Sequence, residues 1–223
     1  MAGLSQKLTW SQQRTSAFER YAESATLLKL QLGAGTHALP GWFNTDLQPA
    51  PPHVHYLDST AKFPFEDASL DYVFSEHHIE HIPWDRAQFM LAECHRVLRP
   101  GGGLRIATPS LEVLVGLLTP APDQAQQRYI DFISETFLQS SMPAGAVGVV
   151  NNAFSSWGHQ FLYDRPTLLR GLTDAGFARA HFTDPGASRD PELRGIEGHG
   201  DFLGNDEMNR FETMVVEAIR PAA

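Results

Sequence analysis

The chain has 223 residues, 42% of them hydrophobic and 19% charged, with a formal net charge of -9. That length fits one domain with a full core, and the acidic balance argues against nucleic acid or an anionic membrane as a partner, since both need a basic face. A single cysteine, Cys94, excludes an internal disulfide. No stretch nears the ~20 apolar residues of a membrane span, and Met1 to Trp10 lacks a signal-peptide pattern, so a cytoplasmic location is expected.

In chain order, Ser11 to Ala25 places Ala17, Phe18, Tyr21, Ala22 and Ala25 at helical spacing and predicts an amphipathic cap helix within residues 1–26. Leu28 to Leu32 is an apolar strand that stops at a glycine-rich turn, Gly33-Ala34-Gly35. A second strand, Trp42 to Leu47, carries Asp46 near its end, and a third runs from His53 to Asp58 after a proline-rich loop. Leu70 to Ser75 is nearly continuously apolar, as buried parallel strands are.

Asp85 to Leu98 has helical periodicity and is stopped by Arg99 to Gly103, after which Leu104 to Thr108 is a fifth strand. Cys94 falls in that helix and reads as a small buried apolar group. Leu111 to Leu118 and Gln124 to Leu138 are predicted helices. Ser140 to Gly158, with three glycines, two asparagines and one proline, is expected to be a long loop or lid. A helix over Arg165 to Ala175 ends at Gly176, and strands over Arg179 to Thr183 and Met214 to Ile219 flank a charged, glycine-rich loop, Pro185 to Gly204. Strands alternating with helices predict an α/β fold with a parallel sheet.

The chemistry starts at the first turn. Glycines carry no Cβ, so their backbone N–H groups can approach a ligand closely. A carboxylate at the end of the next strand can accept hydrogen bonds from ribose hydroxyls. Together, Gly33, Gly35 and Asp46 predict a pocket for a nucleoside-like cofactor at the carboxyl ends of parallel strands.

Two further clusters stand out. His77-x-x-Glu80-His81 fits the pattern of the inverted zinc peptidases, in which His77 and His81 would share a zinc and Glu80 would be the general base. Pro83 interrupts any helix there, and no long second helix supplies the further glutamate, so no metal is expected and the zinc hydrolase stays the alternative. Of His77 and His78, at the strand end, either lines the pocket or serves as a base. Trp157 to Asp164 places His159 among Trp157, Phe161 and Tyr163, which reads as an aromatic acceptor pocket with one base or as a packed aromatic core. Asn151, Asn152 and the loop Glu197 to Asp201 are further acceptor-side candidates, and Arg165 or Arg189 would suit an acidic acceptor.

With Leu32 to Gly35, Asp46, Asp58 before a Pro-Phe loop, Asp71 to Ser75, Ile79 to His81 and Leu98 to Leu104 in this order, the chain resembles the class I S-adenosylmethionine-dependent methyltransferases, in particular their small-molecule, type 11-like branch. The resemblance covers residues 28–109 well. It implies a Rossmann-like sheet, mostly parallel with an antiparallel last strand, with helices on both faces. It implies a cofactor half over 27–109 and an acceptor half over 110–223 with a lid at 140–158. It implies S-adenosyl-L-methionine as cofactor and a small-molecule acceptor. By the same resemblance Gly33 and Gly35 pass the cofactor, Asp46 holds the ribose, Asp58 and Ser59 sit by the adenine, and Ser75 and Glu76 face the methionine end; Ala34, Leu47 and His77 are further expected cofactor-binding residues. His159 is the first expectation for a catalytic base and His78 the second. One departure is visible: the segment between Gly35 and Trp42 is too short for the usual crossover helix, which takes ~10 residues or more. A third reading is a non-catalytic cofactor-binding protein on the same fold.

Overall fold

A computed structural model describes residues 3–222; residues 1, 2 and 223, where the expected domain begins and ends, lie outside the described residues. Helix α1 (Leu4–Ser24) starts earlier than its apolar spacing predicts. Its Phe18 packs on Phe43 and Phe65 at ring-centroid distances of 5.1 and 4.7 Å, and Tyr21 Oη accepts from the Lys29 N–H at 2.9 Å. Arg14 donates to the Tyr56 carbonyl, so the helix is fastened over the strands it precedes.

Seven strands form one sheet: β1 (Lys29–Leu32), β2 (Phe43–Asp46), β3 (Val54–Tyr56), β4 (Leu70–Glu76), β5 (Leu98–Pro109), β6 (Ala178–Thr183) and β7 (Thr213–Ile219). Their order is β3-β2-β1-β4-β5-β7-β6. The first five are parallel, and β7 runs antiparallel between β5 and β6. The order reverses at β1 and β4, which opens a crevice at their carboxyl ends, the usual ligand position in such sheets. Leu32 pairs with Ser75 and Asp46 with Tyr56, so the register brings the glycine turn, the Asp46 carboxylate and the end of β4 to one edge.

The short first crossover holds no helix. Buried amides replace its hydrogen bonds: Asn44 accepts from the Leu39 N–H at 3.0 Å and donates to the Leu39 carbonyl at 3.1 Å, while Gln31 Nε2 donates to the His37 carbonyl at 3.0 Å. The buried backbone of the loop is thereby satisfied, as it must be.

Helix α2 (Trp84–Val97) buries Met90, Leu91, Cys94 and Val97 in the main core beside Leu30, Leu70 and Ile106. Its last carbonyls are capped by Arg220, whose guanidinium donates to His95 and Arg96 at 2.9 and 2.8 Å, a favourable end for a cation. A second core joins α3 (Leu111–Gly116), α4 (Gln124–Thr136) and α5 (Ala146–Ser155) through Leu114, Tyr129, Ile133, Val149 and Ala153.

The α5 helix corrects the lid loop expected over 140–158. The glycine there serves close packing rather than mobility: a Cβ on Gly148 would stand 1.8 Å from the Pro143 carbonyl oxygen. Val149, Val150 and Ala153 supply the buried face. After α6 (Arg165–Asp174), the expected loop over 185–204 likewise contains a short helix, α7 (His199–Leu203), followed by α8 (Asp206–Glu212).

Candidate functional site

A cavity of about 720 Å³ opens at the carboxyl ends of β1 and β4, in the size range of small-molecule sites. One wall is the glycine turn, Gly33 to His37 with Gln31; the floor is Glu76 and His77 at the end of β4. His81, Leu114, Phe137, Ala153, Trp157 and His159 form the far wall, and Gly198, His199, Asp201, Phe202 and Glu212 close it from the second half.

The turn is built as its residues suggest. Gly33 and Gly35 adopt φ of +66° and +50°, a left-handed backbone that suits glycine. A Cβ on Gly33 would stand 2.4 Å from the His78 ring, whereas nothing lies within 4 Å of one on Gly35. Asp46 is half-buried behind the turn rather than on the cavity wall. One of its oxygens accepts from the Gly35 N–H at 3.0 Å and the other from the Gln48 N–H at 2.7 Å. A carboxylate has about four acceptor positions, so two remain for sugar hydroxyls.

Other expected residues are placed less directly. Leu47 is 51% exposed. Asp58 spends an oxygen on Thr60, and Ser59 meets His78 Nε2 at 2.8 Å. Ser75 is buried at the strand end, with no hydrogen-bond partner for its hydroxyl among the described residues. His78, the second expectation for a base, is absent from the cavity wall; its ring lies between Gly33 and Ser59, and burial lowers its pKa. Arg165 and Arg189 are not on the wall either, and Arg165 lies over the Phe182 ring instead.

Glu76 binds the second half to the first, accepting from the N–H groups of Gly198 and His199 at 2.9 and 3.1 Å. Burial raises its pKa against those bonds. His77, at φ +41°, turns the chain out of β4; its ring stacks on His199 at 3.6 Å and meets Thr213 Oγ1 at 3.0 Å. Burial works against its protonation, but the Glu80, Glu212 and Glu76 carboxylates outweigh burial and raise its pKa. Glu80 is fully buried and 3.4 Å from His77; burial opposes its charge, yet His77 and His81 bring its pKa down to about 2. Burial and the neighbouring His77 push His199 down to about 3.

His159 lies on the wall beside His81, ring centroids 4.9 Å apart. Its Nδ1 bonds the Ala153 carbonyl at 2.7 Å, which places the proton there and leaves Nε2 with its lone pair. Burial lowers its pKa, which keeps the ring neutral and able to take a proton.

The zinc-peptidase arrangement is not formed. His77 is left-handed and a single 3-10 turn, Ile79–His81, follows it, so no helix carries the two histidines on one face. His77 groups with His199 and Glu212, and His81 with Glu80 and His159. Sequence reasoning missed His37 and Glu212 on the wall. Nothing around Glu212 in the sequence marks it; its burial comes from packing, with Tyr129 Oη donating to it.

Fold and turn together define a nucleoside-binding α/β domain of the doubly wound class. Residues 30–106 match the methyltransferase domain family, and the matches together support a class I S-adenosylmethionine-dependent methyltransferase. A Mycolicibacterium smegmatis protein named "Probable S-adenosylmethionine-dependent methyltransferase" is 52% identical over 50 residues, which is 22% of this chain and 19% of that one. A Mycobacterium tuberculosis protein of the same description is 43% identical over 60 residues, 26% of this chain and 21% of its own. The match thus spans about a fifth of those relatives' length. Among solved structures, an S-adenosylmethionine-dependent methyltransferase from Mesorhizobium loti superposes with a TM-score of 0.50 at 16% identity, covering 93% of this chain and 98% of that one. A chain of the complex between the Haloferax volcanii Trm112 methyltransferase activator and a methyltransferase reaches 0.51 at 16% identity, covering 98% and 94%. These two likenesses concern the fold. No helix among the described residues is long and apolar enough to cross a membrane.

Proposed function

We propose that the chain transfers a methyl group from S-adenosyl-L-methionine to an oxygen or nitrogen of a small-molecule acceptor. The observation that carries this reading is the bond from the Gly35 N–H to Asp46, which holds a carboxylate suited to sugar hydroxyls against the glycine turn of the cavity. The bound cofactor supplies a methyl group on a sulfonium, a good leaving group. Gly33, Ala34 and Gly35 give it a wall without bulk, and Asp46, flanked by Leu47, receives the ribose hydroxyls. Asp58 and Ser59 serve the adenine, and His78 positions Ser59 rather than acting as a base. Ser75, with its unpartnered hydroxyl, and Glu76 and His77 face the methionine end.

The acceptor enters from the side of Trp157, Phe137 and Leu114, an apolar wall that suits a small organic body. Transfer needs nucleophile, methyl carbon and sulfur in line, with reacting atoms about 3–3.5 Å apart. His159 Nε2 then takes the proton of an acceptor hydroxyl, a role worth about 10²–10⁴-fold. An amine acceptor would depend on it less. The neutral, oriented imidazole favours a hydroxyl.

Calorimetry tests the reading. Wild-type protein should bind S-adenosylmethionine or its demethylated product at micromolar concentration, and Asp46→Ala should weaken this about 10- to 100-fold, the worth of charge-assisted hydrogen bonds. No heat with either ligand would overturn the assignment.

A further inference from the structure

The geometry points to a divalent transition-metal site at the acceptor end of the cavity, made by Glu80, His81 and His159. One ligand atom from each lies within 4.8 Å of the other two. Metal–nitrogen and metal–oxygen bonds of about 2.0–2.2 Å set tetrahedral ligand atoms about 3.3 Å apart, so closing the site takes shifts of no more than about 1 Å per ligand.

The three groups are brought together by the backbone. The Glu80 carbonyl accepts from the N–H groups of both Gln160 and Phe161, at 2.7 and 3.1 Å, which pins the segment after His159 onto the 3-10 turn. The two imidazoles then stand at 67° to each other, so their in-plane lone pairs can meet at one point. Two of the three ligands are oriented from behind. The Ala153 carbonyl fixes the His159 tautomer with Nε2 free, and Thr108 Oγ1 donates to Glu80 Oε2 at 3.0 Å. Backing of this kind is what metal ligands require. Glu80 Oε1, fully buried, has no hydrogen-bond partner among the described residues and only the His77 ring at 3.4 Å. A buried carboxylate oxygen left in that state has an acceptor position to fill.

The neighbouring group of His77, His199 and Glu212 does not serve. Its two rings are stacked at 10°, so their lone pairs run parallel, and no single ion can lie in both ring planes. His77 also has Thr213 and Glu80 against its two nitrogens.

Two imidazoles and one carboxylate suit zinc, iron(II) or cobalt(II) and leave at least one coordination position open. His81 and His159 both face the cavity, so the open position would receive an oxygen of the acceptor. The site's purpose rests on the methyl-transfer reading; its existence does not. With an ion in place His159 is a ligand, and the cation, in place of the bare imidazole, acidifies the acceptor hydroxyl, whose proton leaves to solvent through the cavity mouth.

The test is titration of chelator-treated full-length protein with cobalt(II) followed by visible absorption, and with zinc(II) followed by calorimetry, alongside binding of S-adenosylhomocysteine. One equivalent of each metal is expected, with cobalt ligand-field bands, and His81→Ala and His159→Ala should each lower affinity at least 100-fold. His81 is exposed, so its variant keeps the fold. His199→Ala should leave metal affinity within about twofold. Absence of metal binding while S-adenosylhomocysteine still binds would overturn the metal site and spare the transferase reading. Metal bound without any S-adenosylhomocysteine binding would support the site and sink that reading. Affinity lost in His199→Ala but kept in His81→Ala would also overturn the assignment.

Discussion

Between residues 29 and 76 the cavity wall is mostly backbone and strand ends; beyond residue 109 it is mostly side chains from separate short helices and loops. In the first region one sheet register places the strand ends behind the wall: Leu32 opposite Ser75, Asp46 opposite Tyr56. In the second, His159 and His199 arrive from segments outside the sheet and are held by individual bonds, such as those from Gly198 and His199 to Glu76, while Glu212 sits just before β7. A site made by register is robust to most substitutions outside its glycines and its carboxylate. A site made by single staples fails when a staple is cut.

The largest test of that contrast is the buried cation that joins the regions. Arg105 on β5 has no exposed surface; it is ion-paired with Glu197, just before the wall residues Gly198 and His199, and with Glu217 on β7. It also donates to the Ala187 carbonyl at 3.0 Å. Arg105→Met leaves two buried carboxylates without their cation, which costs about 3–5 kcal/mol. Urea unfolding should show it as a lower midpoint at similar slope. A loss below about 1 kcal/mol would mean that the second half is not held through this cluster.

The next test addresses the register-built side. Gly33→Ala forces a Cβ into the His78 ring and places alanine at φ +66°. The two costs are separable. The backbone part is about 1–2 kcal/mol for a left-handed residue and should persist in a His78→Ala background, while the steric part should shrink there to the contact with the residue-78 Cβ, 2.8 Å away. A coupling of about 1 kcal/mol or more in the double-mutant cycle is expected. Additive effects would show that the ring does not rest on the turn.

The same contrast explains what the sequence revealed. Glycines with positive φ, a strand ending in Asp46 and the apolar run of β4 are local demands of backbone and pleat, so they are written at short spacing and were legible. The short crossover was legible as a length, but its solution was not: Gln31 and Asn44 replace a helix only because burial leaves their amides no water to bind. The α5 helix was hidden because its glycines read as flexibility, although Gly148 is there for the approach of Pro143. His159 was legible from its aromatic neighbours. Its partnership with His81 and Glu80 depends on a backbone staple between residues about eighty positions apart, and no periodicity records such a contact.

The last test addresses the His77–His199 stack by pH. His199, at about 3 in the fold against 6.5 when free, refuses a proton that the unfolded chain accepts, so its contribution falls as pH drops from about 6.5 toward 3. Glu80, lowered from 4.5 to about 2, adds to the same loss below about 4.5. His77, raised, runs the other way: its contribution is complete below 6.5 and is lost as pH rises through its folded value. Stability should therefore peak near neutral pH and decline on the acid side. His199→Gln removes one acid-sensitive group while leaving Glu80 in place. The difference in Tm between pH 7 and pH 4 should shrink by a few degrees: the lowered His199 value sets a ceiling of roughly 3 kcal/mol, which solvent screening of this part-exposed ring reduces. Comparing the two pH values within each protein cancels the lost ring stacking on His77, which is present at both. An unchanged difference would mean that His199 is solvated enough to titrate freely, and the second half would then be looser around the cavity than its bonds to Glu76 imply.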